Sequence, residues 1–230
     1  MTGNNTRKEN IALFIALLFH VCGLIGILFT PYKEWFINNT PVNLLMMAAL
    51  LVFTQRDKSF LFWIFFLLCF ITGIIAEVIG VNTGYLFGNY SYGTVLGAKI
   101  YNVPWVIGIN WFTTIFCAGN IVFRLNEWIL KKFDSTVQPA VAVQFFSFVF
   151  DGAMLATLFD WVLEPTAQKL GYWQWMPKEE IPVFNFICWF IISALLLTIF
   201  RLMKFDKHNH FALHLFIIQV LFFLMLQTFL

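Results

Sequence analysis

Seven apolar segments follow one another along the chain, and they constrain its fold more than any other feature. They are Ile11–Phe29, Pro41–Phe53, Phe60–Ile79, Val103–Phe123, Pro139–Leu163, Pro182–Met203 and Phe211–Leu230. A helix of about 20 apolar residues crosses the hydrocarbon core of a bilayer, and all but the second segment reach that length. Only 11% of the residues are charged, against about 25% in a soluble domain. The sequence therefore predicts an all-α, polytopic integral membrane helical bundle of about seven transmembrane helices, forming a single domain over 1–230.

The distribution of basic residues predicts the orientation of this bundle. With seven spans, one side collects Arg7, Lys8, Arg56, Lys58, Arg124, Lys131, Lys132, Arg201, Lys204 and Lys207, and the other collects Lys33, Lys99, Lys169 and Lys178. Cytoplasmic loops carry the excess of Lys and Arg, so we expect a cytoplasmic N-terminus in the inner membrane. The second segment is short and is compatible with a re-entrant helix, but the charges fit best if it spans. The first segment lacks a small-residue cleavage pattern, and we expect it to be retained.

Four carboxyl side chains interrupt the apolar segments: Glu77, Asp151, Asp160 and Glu164. A charge in the hydrocarbon costs about 2.5–3.5 kcal/mol on insertion scales, so such residues usually serve a function. Asp160 and Glu164 are four residues apart and share one helix face. Pro165 is expected to end the helix directly after Glu164 and to hold that carboxyl at the membrane surface.

The predicted topology brings several of these polar side chains to the outer face. Glu77 closes the third span there, and Asp160 and Glu164 close the fifth. Asn110 lies two turns into the fourth span and Asn185 one turn into the sixth, counted from the same face. Asp151 is expected to point away from this group, because nine helical residues rotate it half a turn from Asp160 and place it about 13 Å deeper. Simpler interpretations stay open at this stage. Glu164 is compatible with a solvated helix end, Asp160 with a structural hydrogen bond to Asn185 or a tyrosine, and Asp151 with a buried structural bond.

Two outer loops, 80–102 and 164–181, are rich in glycine and aromatic residues. This composition is typical of loops folded tightly over a bundle, although tyrosine and tryptophan also form belts at the membrane interface. No basic run suggests a nucleic-acid partner. His20 is expected to pack in a helix, and His208, His210 and His214 to lie in a solvated loop. The four cysteines are predicted to be small buried apolar residues rather than ligands, so no metal site is predicted.

An ordered set of residues in the middle of the chain resembles a known family. Its first half is Glu77, Thr83-Gly84, Phe87-Gly88, Tyr90, Tyr92, Leu96-Gly97, Val103-Pro104 and Trp111. Its second half is Asp160, Glu164-Pro165, Trp173-Gln174-Trp175, Pro182, Asn185 and Trp189. In this order the residues resemble the CruF-type carotenoid biosynthesis proteins, relatives of carotenoid 1',2'-hydratase and bisanhydrobacterioruberin hydratase, over about residues 77–189. Two positions depart from the family pattern. The chain has Glu180-Ile181-Pro182 where the family often carries Gly before a Val-Pro step, and it has Cys188 where a glycine is usual before Trp189.

The resemblance implies a cofactor-independent hydratase that acts on an acyclic carotenoid end held in the bilayer. Water would add across the terminal C1=C2 double bond and give a tertiary alcohol. γ-Carotene and lycopene are the favoured substrates, because a slightly basic chain does not fit the acidic surface expected of a haloarchaeal enzyme on C50 carotenoids. The oligomeric state is left open.

The residues permit a mechanism for this reaction. Burial disfavours the charged form of a carboxyl, so Asp160, the deeper of the pair, is expected to act as the general acid. Glu77 or Glu164 would orient and deprotonate the attacking water. Aromatic faces stabilise cations, and we expect the substrate and its carbocation to contact a polar and aromatic set. This set is Tyr90, Tyr92, Trp111, Trp161, Trp173, Asn110 and Asn185.

Two other functions use the same residues. A carotenoid cyclase or isomerase would need the same acid without capture of water. A proton- or ion-coupled transporter also needs carboxyl groups in its spans, but transporters usually place them near the midplane and show internal repeats. Here the polar residues are predicted at one face, which favours an enzyme.

Overall fold

The computed structural model describes residues 2–132, 140–178 and 180–230, with side chains from residue 6 onward. Within these ranges the chain forms eight helices: α1 (Thr2–Phe29), α2 (Lys33–Asn38), α3 (Thr40–Thr54), α4 (Phe60–Thr83), α5 (Val106–Lys132), α6 (Val141–Lys169), α7 (Val183–Leu202) and α8 (His210–Phe229). Four short strands lie in the loops: β1 (Tyr90–Tyr92), β2 (Lys99–Ile100), β3 (Val103–Pro104) and β4 (Trp173–Trp175).

Six of the described helices, α1, α4, α5, α6, α7 and α8, are long and apolar enough to cross a membrane. The predicted all-α polytopic bundle is therefore confirmed. Several helices extend beyond their predicted ends: α4 continues to Thr83 and α5 to Lys132. The added residues are more polar than the apolar segments, so a prediction based on apolar segments alone did not include them. The predicted start of the fifth segment at Pro139 lies outside the described residues.

The short helix α3 reaches both ends of the bundle. Its first residue, Thr40, shares a hydrogen bond of 2.9 Å with the hydroxyl of Tyr172 in the loop between α6 and α7. Its last residue, Thr54, contacts Asn209 in the loop between α7 and α8, with 3.3 Å between their side-chain oxygens. Fifteen helical residues extend about 22 Å. Since the two loops lie at opposite ends of α7, α3 extends from one end of the bundle to the other, although it is shorter than the six long apolar helices.

Helix α5 forms the centre of the bundle and packs against α3, α4, α6, α7 and α8. Its residues from Val106 to Asn120 are buried except for the half-buried Asn110. The surrounding helices expose apolar side chains on their outer faces, including Phe14, Phe150 and Leu195. An apolar exterior is what a lipid environment requires, so the central helix is the one best placed to organise a site.

The expected helix stop at Pro165 is wrong. Helix α6 continues through this proline to Lys169. Proline removes one backbone donor, but its fixed φ is compatible with helical geometry. The additional turn leaves Glu164 inside the bundle with only 2% of its surface exposed. Glu164 is therefore a buried side chain and not a solvated helix end.

Gly73 on α4 allows the side chain of Trp111 to cross the face of that helix. A Cβ atom on Gly73 would lie 2.5 Å from the Trp111 ring. That ring is also held from its other side, because it stacks on Trp189 with 3.9 Å between ring centroids. One helical turn beyond Gly73, the indole Nε1 of Trp111 reaches Glu77 at 3.0 Å. The glycine thus provides the space that this contact needs.

We expect Gly73→Ala to destabilise the protein by about 1–3 kcal/mol, the usual effect of overpacking a rigid core. The matched control is Gly23→Ala, where the added Cβ would meet Phe222 at 3.4 Å, an ordinary contact distance. Thermal unfolding in detergent measures both variants. Equal unfolding temperatures for the two variants would contradict the packing argument.

Candidate active site

The three carboxyl groups at one end of the bundle surround a small polar cavity, which we call the acid cavity. It is lined by Glu77, Phe87, Tyr90, Tyr92, Ile107, Asn110, Trp111, Asp160, Leu163, Glu164, Trp173, Trp175, Asn185 and Trp189. Its volume is about 20 Å³. Roughly 10–15 Å³ is enough for one water molecule, so the acid cavity has room for a single water among polar partners.

Two strands from separate loops form the cover of this cavity. Strands β1 and β4 pair antiparallel, with Tyr90 opposite Trp175 and Tyr92 opposite Trp173. Alternate residues of a strand point to the same side, so all four aromatic rings face the bundle. The two glycine- and aromatic-rich loops are therefore folded over the helices, as their composition predicts, and their aromatic residues are not a simple interfacial belt.

Glu77 accepts three hydrogen bonds from aromatic side chains. The hydroxyl groups of Tyr90 and Tyr92 donate to its Oε2 at 2.5 and 2.7 Å. The indole of Trp111 donates to its Oε1. Burial, with the nearby Glu77 carboxyl adding to it, raises the pKa of Tyr90 and Tyr92 well above the usual value of a phenol. Both tyrosines therefore remain protonated donors at any physiological pH.

Glu164 is held by the second strand of the cover. The indole groups of Trp173 and Trp175 donate to its Oε2 at 2.9 and 2.8 Å. An indole N–H donates and cannot accept, so this oxygen carries no proton. The remaining oxygen, Oε1, receives a longer contact of 3.3 Å from the amide of Asn185.

Asp160 lies one helical turn before Glu164 and is 1% exposed. Its Oδ2 accepts a hydrogen bond of 2.7 Å from the Asn185 amide nitrogen. The same nitrogen contacts both carboxyl groups, and Asn185 therefore bridges them. Among the described residues, the Asp160 side chain accepts this one hydrogen bond, whereas the side chains of Glu77 and Glu164 each accept three. Asp160 is thus the carboxyl whose charge is least compensated by donors.

The structure brings together most of the residues selected from the sequence. Glu77, Asp160, Glu164, Asn110 and Asn185 all line the acid cavity. So do four of the five selected aromatic residues, Tyr90, Tyr92, Trp111 and Trp173.

Trp161 was also selected from the sequence, but the structure does not bring it to the acid cavity. Its side chain is 58% exposed on the outer face of α6 and does not line the acid cavity. One residue along a helix rotates the side chain by about 100°, which turns Trp161 away from the face of Asp160. Asp151 is also exposed on this helix, so a buried hydrogen bond is not its role. As expected from its rotation, it is separate from the three clustered acids.

Five lining residues were missed in the selection from the sequence: Phe87, Ile107, Leu163, Trp175 and Trp189. The alternation in Trp173-Gln174-Trp175 would have indicated Trp175, since a strand directs its first and third residues to one side. Trp189 lies one helical turn after Asn185 and shares its face. Cys188, one of the departures from the family pattern, accepts the backbone N–H of Phe87 at 3.3 Å.

The histidines lie away from the acid cavity. His20 is buried against Phe222, with its Nδ1 2.8 Å from the carbonyl of Ala16, which agrees with a packing role. His208 contacts Asp206 and Glu127 near the opposite end of the bundle, whereas His210 and His214 lie in α8 and not in the loop where they were expected. Within the described ranges, no cluster of three His, Cys, Asp or Glu residues is placed to hold a metal ion.

The fold and site define a polytopic membrane protein with a buried carboxyl cluster beneath an aromatic cover. A family-wide sequence profile described as carotenoid biosynthesis protein matches residues 39–230, which include every residue lining the acid cavity. The chain therefore belongs to this carotenoid biosynthesis family. Membership supports a role as an enzyme in carotenoid biosynthesis. Searches of curated proteins and of solved structures gave no match.

Proposed function

We propose that the protein is a carotenoid hydratase, which adds water to the terminal C1=C2 double bond of an acyclic carotenoid end. The observation that carries this proposal is the acid cavity, where three buried carboxyl groups surround space for one water. Hydration of an alkene needs a proton donor, a stabilised carbocation and a positioned water. Residues of the acid cavity can supply each of these requirements without a cofactor.

Asp160 is the proposed general acid. Two neighbouring carboxyl groups do not both ionise easily, and the indole donors hold Glu164 as the charged member of the pair. The proton then remains on Asp160, which has a single bridging donor in Asn185. Transfer of this proton to C2 forms the new C–H bond and leaves a tertiary carbocation at C1.

The aromatic walls and the carboxylates would stabilise that cation. Trp111 and Trp189 form a stacked pair at the cavity wall, and Trp173 lines it from the cover. A cation over an aromatic face gains about 2 kcal/mol or more when water is excluded. Glu77 adds a negative charge nearby, held in place by its three donors.

Glu164 is the proposed general base. Its Oε1 receives a single long contact and has capacity to accept a hydrogen bond from water. The water oxygen bonds to C1 while Glu164 takes a water proton, which gives the tertiary alcohol. A proton then passes from Glu164 to the Asp160 carboxylate through the next water, so that the enzyme is regenerated and one water is consumed for each product.

The membrane setting fits this chemistry. We propose a cytoplasmic-membrane location with the N-terminus in the cytoplasm, supported by the Lys and Arg distribution. This orientation puts the acid cavity near the outer face, where water is close. The carotenoid would reach the site from within the bilayer.

A product mass tests the proposal directly. The chain is expressed in a host that accumulates lycopene or γ-carotene, the pigments are extracted, and their molecular masses are measured by mass spectrometry. A hydratase adds the mass of one water, and growth in ¹⁸O-labelled water places the label in the product alcohol. A rearranged product of unchanged mass would overturn hydration in favour of a cyclase or isomerase. Unchanged pigment from a well-expressed protein would overturn both.

A further inference from the structure

A second and much larger cavity lies beside the acid cavity. Its volume is about 480 Å³, and it is enclosed by residues of α1, α2, α3, α5, α6 and α8. Small-molecule sites usually enclose about 300–1,000 Å³. Leu18, Cys22 and Val42 line it and are exposed residues of α1 and α3. Their exposure places the mouth of the cavity between α1 and α3, two helices with many exposed apolar side chains.

The two cavities share a wall. Ile107, Asn110, Leu163 and Trp173 line both of them. The acid cavity has room for a water molecule and is too small for an isoprenoid end. An organic reactant that meets the carboxyl groups must consequently occupy the larger cavity and approach them past these four residues.

We propose that the larger cavity is the substrate chamber, which binds the acyclic terminal segment of the carotenoid and presents its double bond to the acid cavity. This inference rests on the proposed function, and it adds the binding site, the entry path and the part of the substrate that is recognised. Its occupant is an isoprenoid chain, because most of the residues lining the chamber are apolar, among them Phe159, Phe222 and Phe223.

The length of the chamber determines how much of the carotenoid it encloses. Along α1 its lining runs from Leu18 to Ile27, about 14 Å of helix. The hydrocarbon core is about 30 Å thick, so the chamber covers roughly half of it. One end of a C40 chain fits, while the rest remains in the lipid. The enzyme therefore recognises the acyclic end and is indifferent to the far end, so that lycopene and γ-carotene are both substrates.

Cys22 provides a direct probe of this chamber. It is exposed and lines the chamber, whereas Cys69, Cys117 and Cys188 are buried. The purified full-length protein is placed in phosphatidylcholine liposomes and labelled with a lipid-soluble maleimide. We expect lycopene to slow the labelling of Cys22, and β-carotene, which has the same chain length but two cyclised ends, to leave it unchanged. The reagent should block hydration by the wild type but not by Cys22→Ala.

The possible outcomes test the proposed substrate chamber and the proposed hydration reaction separately. Lycopene protection without any water addition would keep the chamber and overturn the hydratase proposal. Water addition with unprotected Cys22 would overturn the chamber and keep the hydratase. Equal protection by lycopene and β-carotene would also overturn the chamber as a site for the acyclic end. Protection of Cys22 from labelling is also measured in the Asp160→Asn variant, so that lycopene binding is observed without turnover.

A steric variant gives an independent test. Val42→Trp adds bulk at the mouth of the chamber, and we expect turnover of lycopene to fall at least about 10-fold. A misfit of a single methylene in a hydrophobic pocket already changes kcat/KM by about 10–200-fold. The matched control is Leu67→Trp, which introduces the same indole side chain at an exposed position of α4 outside both cavities. Equal turnover by the two variants would overturn the proposed entry path.

Discussion

Replacing Asp160 by asparagine is expected to lower the rate of carotenoid hydration by about 10²–10⁴-fold, the usual contribution of a general acid. The amide has nearly the same size as the carboxyl group, and its oxygen can still accept the Asn185 hydrogen bond. The fold and the chamber should therefore persist while the proton donor is lost. Turnover is measured with lycopene in liposomes at matched protein amounts, and thermal unfolding verifies that the variant is folded.

Asp151→Asn is the matched control for this substitution. It makes the same chemical change on the same helix, but at an exposed position outside the acid cavity. We expect its turnover to equal that of the wild type. Near-normal hydration by Asp160→Asn would show that another group donates the proton. Equal losses in the two variants would point to a general effect of charge on α6.

Much of the fold and part of the site are readable from the sequence because they follow from local periodicity and length. Apolar segments of bilayer length predict the helices, and the direction of each span brings Glu77, Asp160 and Asn185 to one end. The rotation of Asp151 away from Asp160 follows from helix geometry alone. These inferences require no knowledge of which helices are neighbours.

The remaining features depend on contacts between distant parts of the chain. The pairing of Tyr90 with Trp175 joins two loops that are separated by two helices, and neither strand is long enough to be predicted alone. This pairing supplies the donors that distinguish the three carboxyl groups. The continuation of α6 through Pro165 depends on the packing around the helix, and this packing buries Glu164. The sequence can locate the acids, but their hydrogen-bond partners come from the tertiary fold.

Replacing Glu164 by glutamine is expected to lower hydration by at least about 10²-fold, because the proposed general base is lost. The introduced amide oxygen can still accept the two indole hydrogen bonds, so the cover should stay in place. Asn185 can rotate so that its own oxygen accepts from the new amide. Glu34→Gln, at an exposed position of α2 near the same end of the bundle, is the matched control and should retain full turnover.

Exchange with heavy water separates the role of Glu164 from that of Asp160. In Glu164→Gln the acid still protonates the double bond, but the cation is not captured by water and returns a proton to the Asp160 carboxylate. Asp160 exchanges its proton with solvent, so recovered lycopene should gain deuterium while no alcohol forms. In Asp160→Asn neither deuterium uptake nor hydration is expected. If Glu164→Gln also fails to incorporate deuterium while remaining folded, Glu164 is required for protonation itself, and the assignment of the acid and the base must be revised.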